Sequence, residues 1–592
     1  MAPTQTLLDH ETLEDLILDE ARSVPPPVMV VNDEGAFGVT TIEANAQAVK
    51  SLVLEDAPDF AAPELSAVAP RTLTLNSSGS KPRKPAKPSA KIYPSVGANE
   101  TTASLAAAKS TTPATSGYGE MASQEAADFA TNGLYDRDPL LSAKTTFTPA
   151  HRNFFIILGV LALAFGIWRP LGLLNVFFFV FSIAFLISTA FKYYVSVKGA
   201  HHDVVEQVTD EQVAALSDDD LPIYTVLLPV FREPNIVAQL IKNLGNMDYP
   251  VDKTEVLILT EEVDTETREA IARSNPPANF RTIIVPEGEP QTKPRACNVG
   301  LQICNGEYLV IYDAEDRPDP DQLKKALIAF RAGGNKTAVV QAALNYYNYS
   351  ENFLTRMFSL EYSYWFDYML PGLDDAKFPI PLGGTSNHFD VRILKELGGW
   401  DPYNVTEDAD LGIRTSALGY EVAVINSTTW EEANTQIPNF IRQRSRWIKG
   451  FMLTTLVHAR QPLKLLRTVG VKNFFGFVAL IAGTPISFLA VLPFMLLTIV
   501  TMVLGGGVMT QVFHPWILWL SIINFVLGSN LVVYLCLMAP YKRANFRLTG
   551  WAMLNPYYWV IHSISAYKAL WQLLFNPHYW EKTNHGLTSH EQ

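Results

Sequence analysis

Four short stretches gather the side chains able to do chemistry: Glu261-Glu262, Asp313-Ala-Glu-Asp316, Thr406-Glu407-Asp408 and Gln443-Arg-Ser-Arg446-Trp447. Asp313, Glu315 and Asp316 carry carboxylate oxygens, the hard ligands that Mg2+ or Mn2+ prefer, and a cation held there would bridge the phosphates of a nucleotide. Taken alone, the same residues also read as an acidic surface turn. Thr406-Glu407-Asp408 has the spelling of a helix N-terminal cap as well as that of a carboxylate pair suited to general-base work. Gln443, Arg446 and Trp447 fall at i, i+3 and i+4, so on a helix they share one face.

The elements that must hold these groups are legible in the apolar patterning. Residues 221–230 (LPIYTVLLPV), 254–260 (TEVLILT) and 308–312 (YLVIY) read as buried strands, with a helix-like stretch over 234–246 between the first two. Strand, helix, strand implies an α/β sheet, whose ligands sit beyond the carboxyl ends of its strands. Glu261 and Glu262 follow one of these strands, and Asp313, Glu315 and Asp316 follow another.

Apolar tracts lie on both sides of this polar stretch. Residues 153–168 and 171–191 hold no charge and are split by Arg169-Pro170, which predicts a helical hairpin across a bilayer. Further tracts run over 474–506, 515–538 and, more polar, 551–573, which contains His562 and Lys568 and is the weakest span. The 474–506 tract predicts an interfacial start, with Lys464, Arg467 and Lys472 toward headgroups and a crossing from about Ser487. Arg442, Arg444 and Lys449 are likewise assigned to headgroups. Arg152, Lys192 and Lys198 around the hairpin, and Lys542, Arg543 and Arg547 later, put the polar domain and the N-terminus on the cytoplasmic side of a plasma (inner) membrane.

The opening residues are acidic, with neither a positive n-region nor an apolar core, so no secretory signal peptide is expected. Residues 57–150 are rich in Ala, Pro, Ser, Thr and Lys and read as disordered, although a short ordered element is compatible with 28–54. The basic run Lys81, Arg83, Lys84 and Lys87 reads as solvated linker. A net charge of −13 argues against nucleic acid as a partner, and three cysteines build neither a disulfide framework nor a zinc pattern. The expected order is a mostly disordered tail (1–150), a transmembrane hairpin (151–192), a catalytic domain (215–437), interface helices with Gln-X-X-Arg-Trp (438–484), a transmembrane bundle (485–575) and a C-terminal motif with its tail (576–592).

The four chemical stretches in this order, with Gly398-Gly399-Trp400-Asp401 ahead of Thr406, resemble the processive membrane-embedded glycosyltransferases of family 2, such as the cellulose, hyaluronan and curdlan synthases. The resemblance runs over roughly residues 150–585. GGTSNHF (383–389) and YWEKTNHG (579–586) are most similar to the bacterial exopolysaccharide synthases of that family. The resemblance implies an α/β nucleotide-sugar domain of the GT-A type inserted between transmembrane helices. It implies inverting, processive transfer from a UDP-sugar to a growing polysaccharide in the lipid bilayer, with accessory subunits as further partners.

By the same resemblance Asp408 is the base and Glu407 shapes its surroundings. Asp313 and Glu315 occupy the metal-binding Asp-X-Asp positions for Mg2+ or Mn2+, with Glu in place of the second Asp and Asp316 as a substitute ligand. Glu261 and Glu262 fall near the uracil, again with Glu for Asp. Lys293, Gln443 and Arg446 attend the donor diphosphate, Trp447 stacks the acceptor sugar, and YWEKTNHG closes over the nucleotide from the cytoplasmic side. Single transfer to a membrane lipid acceptor is the alternative enzyme reading, and a channel or scaffold with an inactive transferase domain is the third class.

Overall fold

The structure, a computed structural model, describes residues 30–31, 37–38, 115–116, 119–201 and 208–582. The basic run 81–87, most of the tail and the last four residues of YWEKTNHG lie outside the described residues. The chain divides into two compact units, Met1–Lys87 and Pro88–Gln592. In the first, Val30–Val31 pairs antiparallel with Phe37–Gly38, within the 28–54 stretch.

The second unit is built on a mixed sheet that has ten strands among the described residues. They are β1 (Thr115–Ser116), β2 (Gly119–Met121), β3 (Tyr224–Val230), β4 (Thr254–Glu261), β5 (Phe280–Val285), β6 (Tyr308–Ile311), β7 (Arg317–Pro318), β8 (Thr337–Tyr346), β9 (Asn387–Asp390) and β10 (Glu421–Glu431). Their spatial order is β1-β2-β5-β4-β3-β6-β9-β8-β10-β7. The run β5-β4-β3-β6 is parallel, and β9 runs antiparallel to both β6 and β8. Strands β3, β4 and β6 are almost wholly buried, which is why their sequences read as continuous Val/Leu/Ile runs without alternation. Because they are parallel, their carboxyl ends open on one edge, where Glu261 and Asp313 are found.

Residues 119–148 differ from the expectation of disorder. Strand β2 extends the sheet alongside β5, with Glu120 opposite Ile283, and Arg281 bridges Glu120 (2.8 Å) and Glu255 (3.0 Å). Helix Gln124–Arg137, capped by the Ser123 hydroxyl, buries Ala127, Ala130 and Leu134. Asn298 donates to the Ala130 carbonyl (3.1 Å), Arg295 to the Thr131 hydroxyl (3.0 Å), and Arg137 to the carbonyls of Glu396 and Leu397 (2.9 and 2.7 Å). The strap that follows hands its carbonyls at Pro139, Leu140 and Ser142 to Arg460, and the Ala143 N–H to the Asp401 carboxylate (2.5 Å). An alanine-rich face buries little by itself, so composition suggests disorder, whereas partners over a hundred residues away supply the order.

Among the described residues four helices are long and apolar enough to cross a membrane: Pro149–Trp168, Pro170–His201, Pro462–Leu504 and Pro515–Arg543. Phe154, Leu161, Leu163 and Ile167 of the first all point outward, an apolar exposure suited to lipid. The long segment breaks at Gly470, which sits at φ +78° where a side chain would be strained. Asn555–Phe575 is not among the four; it packs along Ile437–His458 instead. Arg543 grips Asp367 of the sheet domain through two bonds (2.7 and 2.8 Å), while Lys542 donates to the Gly199 carbonyl (2.8 Å) of helix Pro170–His201.

Candidate active site

Past the end of β6 the chain turns through Asp313-Ala-Glu-Asp316. Asp316 points inward, fully buried, and accepts from the Asp313 N–H (2.7 Å) and from the Thr385 hydroxyl of GGTSNHF. Its other oxygen, Oδ1, has no hydrogen-bond partner among the described residues. Burial, with the charges of Asp313 and Glu315, pushes the Asp316 carboxyl well above the usual range. Glu431, the last residue of β10, is pushed up for the same reasons, by burial and then by Asp316, Glu315 and Asp313. Sequence reasoning missed Glu431, although an acid closing a buried strand is the signal that singled out Asp313.

Lys293 opens helix Lys293–Ile303. It makes an ion pair with Asp313 and donates to the Gly384 carbonyl (2.8 Å). Burial would lower its ammonium, but Asp313 and Glu407 outweigh it and hold Lys293 above its ordinary value.

Helix Glu407–Ala417 begins directly after Thr406, but the Thr406 hydroxyl caps nothing and has no hydrogen-bond partner among the described residues. The spelling of a cap is therefore not a cap here. Thr406 instead packs on Gly450: a Cβ there would lie 2.2 Å from its hydroxyl, so only glycine lets the two helices meet so closely. One turn earlier on that second helix, Ile437–His458, stands Arg446. Asp408 Oδ1 accepts from the Ala409 N–H (2.7 Å), while Oδ2 faces Gly384, 3.5 Å from where its Cβ would be. Burial raises the Asp408 carboxyl, opposed by the Ala409 N–H, Lys293 and Arg446. Glu407 is pushed up to about 8, by burial and then by Asp408. Arg446 is lowered by burial against the pull of Glu407, Asp408 and Asp313.

Asp313, Lys293, Glu407, Asp408 and Arg446 thus share one electrostatic site. Beneath it, Asp410 binds Arg414 Nε (2.7 Å) and His458 Nε2 (3.0 Å), and Arg414 reaches the carbonyls of Leu397 and Gly399 (both 2.9 Å). That buried knot ties the Asp408 helix to the Arg446 helix. Although burial raises Asp410, Arg414 and His458 hold its carboxyl below the ordinary range.

The other candidates are placed differently. Glu261 is buried on Arg295 (3.5 Å) and pushed up to about 7, chiefly by burial. Glu262 accepts from the Glu287 N–H (3.0 Å). Both face the 285–291 loop that follows β5. Gln443 accepts from Asn434 (2.8 Å). Trp447 lies near-parallel to Tyr362, with centroids 6.4 Å apart.

Arg444 and Lys449 do not reach outward as headgroup ligands. Arg444 forks onto Glu361 (2.8 and 2.5 Å), and Lys449, fully buried, donates to the Tyr579 carbonyl (2.7 Å). Their helix is covered on that side by Phe353–Tyr364 and by the C-terminal segment, and neither partner is near in sequence. Trp580 stacks on Arg446 (4.5 Å), and Lys582 donates to the Phe231 carbonyl and pairs with Glu233 (3.3 Å). The described part of YWEKTNHG therefore lies between the Arg446 helix and the loop after β3.

Among the described residues no three His, Cys, Asp or Glu side chains already surround a point able to hold a metal ion. The donor chemistry nevertheless suits a hard divalent cation: Asp313, Glu315, Asp316 and Glu431 repel one another, and a buried Asp316 oxygen has no hydrogen-bond partner among the described residues.

Residues 222–450 match the family model described as Glycosyltransferase like family 2. Residues 222–450 are thus similar to the glycosyltransferases of that family, on a GT-A-like mixed α/β sheet with membrane-length helices on either side. It is 27% identical over 262 residues to "Probable glycosyltransferase YdaM" of Bacillus subtilis (strain 168), covering 44% of this chain and 62% of that protein. It is 26% identical over 259 residues to "Glucomannan 4-beta-mannosyltransferase 2" of Arabidopsis thaliana, covering 41% and 47%. The chain thus spans between 47% and 62% of the length of these curated relatives. Among solved structures, a mannosyltransferase from Pyrobaculum calidifontis in complex with GDP-Man and Mn2+ superposes with a TM-score of 0.42 at 16% identity, over 67% of this chain and 99% of that one.

Proposed function

We propose that this protein is an inverting glycosyltransferase that extends a polysaccharide from a UDP-sugar and passes the product through its own membrane helices. The observation that carries the reading is the convergence of Asp408, Lys293, Asp313 and Arg446 at one edge of the sheet. A base and two cations meet there, as displacement of a nucleoside diphosphate requires.

Asp408 Oδ2 takes the proton of an acceptor hydroxyl as that oxygen attacks the anomeric carbon, and the bond from that carbon to the diphosphate oxygen breaks. Arg446 and Lys293 supply charge-assisted bonds to the departing diphosphate. Asp313 and Glu315 would hold Mg2+ or Mn2+, which when bound neutralises phosphate charge. Glu407, buried beside Asp408 with its carboxyl pushed up, shapes the surroundings of that base. Glu261 and Glu262 border the nucleobase, Gln443 helps to fix the donor, and Trp447 gives the terminal sugar a flat surface to stack on. The seating of the 540s loop and of Tyr579–Lys582 on the sheet domain supports a cytoplasmic site and C-terminus in a multi-pass inner-membrane protein.

Incubating membranes with radiolabelled UDP-glucose, UDP-N-acetylglucosamine, UDP-glucuronate or a nucleotide-activated mannose, then sizing the product before and after glycanase digestion, tests the proposal. High-molecular-mass polymer from a UDP-sugar supports it. A labelled glycolipid means single transfer, and no incorporation from any donor means an inactive domain.

A further inference from the structure

We infer that Arg444 and Glu361 are positioning residues for Trp447, setting the plane of the surface on which the acceptor sugar stacks; the inference rests on the acceptor role proposed for Trp447. The Arg444 guanidinium lies 4.5 Å from the Trp447 ring, 4.5 Å from Phe358 and 5.0 Å from Phe440. Three residues apart on one helix, Arg444 and Trp447 are neighbours by geometry. What fixes the guanidinium plane is Glu361, whose two oxygens accept one bond each from Nη1 and Nη2 (2.8 and 2.5 Å). Glu361 is fixed in turn by the Tyr558 hydroxyl (2.7 Å), with His562 Nε2 at 3.7 Å. The next residue, Tyr362, is the ring that lies near-parallel to Trp447. Consecutive residues of helix Phe353–Tyr364 thus bear on Trp447, Tyr362 directly and Glu361 through Arg444, and helix Asn555–Phe575 braces Glu361 through Tyr558.

Clamping three helices does not by itself call for charge, since a buried ion pair is often matched or surpassed by apolar residues of equal volume. Holding a planar surface at a fixed tilt does call for a planar group anchored at two points, which arginine on a carboxylate provides and lysine does not. A small misplacement of the acceptor would cost transfer heavily while leaving the donor site untouched.

The test uses the full chain in membranes and measures two rates: sugar incorporated into polymer, and donor hydrolysed by water. Trp447→Ala is the reference and should cut polymer about tenfold or more with hydrolysis changed less than about threefold. Arg444→Lys and Glu361→Gln should reproduce that split at roughly fivefold, with shorter chains, and Tyr558→Phe at about twofold. Equal loss of both rates, or no loss of either, in Arg444→Lys and Glu361→Gln overturns the positioning role. Should these two fail to accumulate, Tyr558→Phe decides, because it deletes one hydrogen bond without stranding a charge: a split upholds the role and an unchanged ratio overturns it. If Trp447→Ala itself shows no split, the acceptor reading falls and takes the inference with it.

Discussion

Replacing Asp408 by asparagine separates chemistry from binding. The amide keeps the shape and leaves an oxygen to accept the Ala409 N–H, now at 2.7 Å, but it presents no group beside Gly384 that can take a proton. A positioned base contributes about 10²–10⁴ in rate, which at 1.36 kcal/mol per tenfold is about 3–5 kcal/mol of barrier. Nucleotide affinity should hold or rise, because Lys293 and Arg446 lose a competing negative charge. Glu407 should respond as well. Its carboxyl is pushed up to about 8 by burial and then by Asp408, so the substitution should bring it down.

The stability consequence has a definite sign. Glu407 binds its proton more tightly folded than unfolded, so the stability it contributes is present below its ordinary 4.5 and lost as pH rises toward about 8. That loss should shrink in Asp408→Asn, flattening thermal stability across the same window. Polymer synthesis, nucleotide binding by calorimetry and melting against pH check the three parts. Turnover above about 10% of wild type, against the hundredfold minimum expected of a base, would refute the assignment.

Asp313→Ala should weaken metal-dependent UDP binding and EDTA should stop synthesis; an unchanged rate in EDTA removes the metal from the proposal. Glu407→Gln should leave the acidic limb of the pH–rate profile in place, since burial and not Glu407 raises the Asp408 carboxyl; a limb that moves to lower pH means that a charged Glu407 acts on it. Gly450→Ala should cost about 1–3 kcal/mol and most activity, because the new methyl group meets the Thr406 side chain; normal melting and synthesis would show that the helices can part without consequence. A cysteine introduced at Ser589 in an active cysteine-free background should resist a membrane-impermeant reagent on intact cells, and labelling from outside would exclude YWEKTNHG from the nucleotide.

The buried parallel strands were the most legible part of the sequence. LPIYTVLLPV and TEVLILT contain β3 and β4 nearly residue for residue, because burial on both faces leaves an unmistakable apolar run. Asp313 was visible as an acid beyond such a strand, and Lys293, Glu407, Asp408 and Arg446 through the motifs of the resemblance; the structure gathers them. What stayed hidden depends on distant partners. Glu431 becomes part of the acidic group only when β10 is laid beside β8. Arg444 and Lys449 look like snorkelling cations until Glu361 and Tyr579 arrive from elsewhere in the chain. Glu261, visible as a carboxylate at a strand end, has its Arg295 partner from a helix over thirty residues on.

The seating of β2 against β5 bears on where the catalytic domain can be cut. A chain begun at residue 215, just ahead of β3, would strip β5 of its neighbour and leave a row of free N–H and C=O groups along an Ile-Ile-Val strand, an open template for another molecule. Arg281, Arg295 and Asn298 would lose Glu120, Thr131 and the Ala130 carbonyl at the same stroke. Such a fragment should self-associate through that edge, whereas one that retains residues 115–148 keeps it closed.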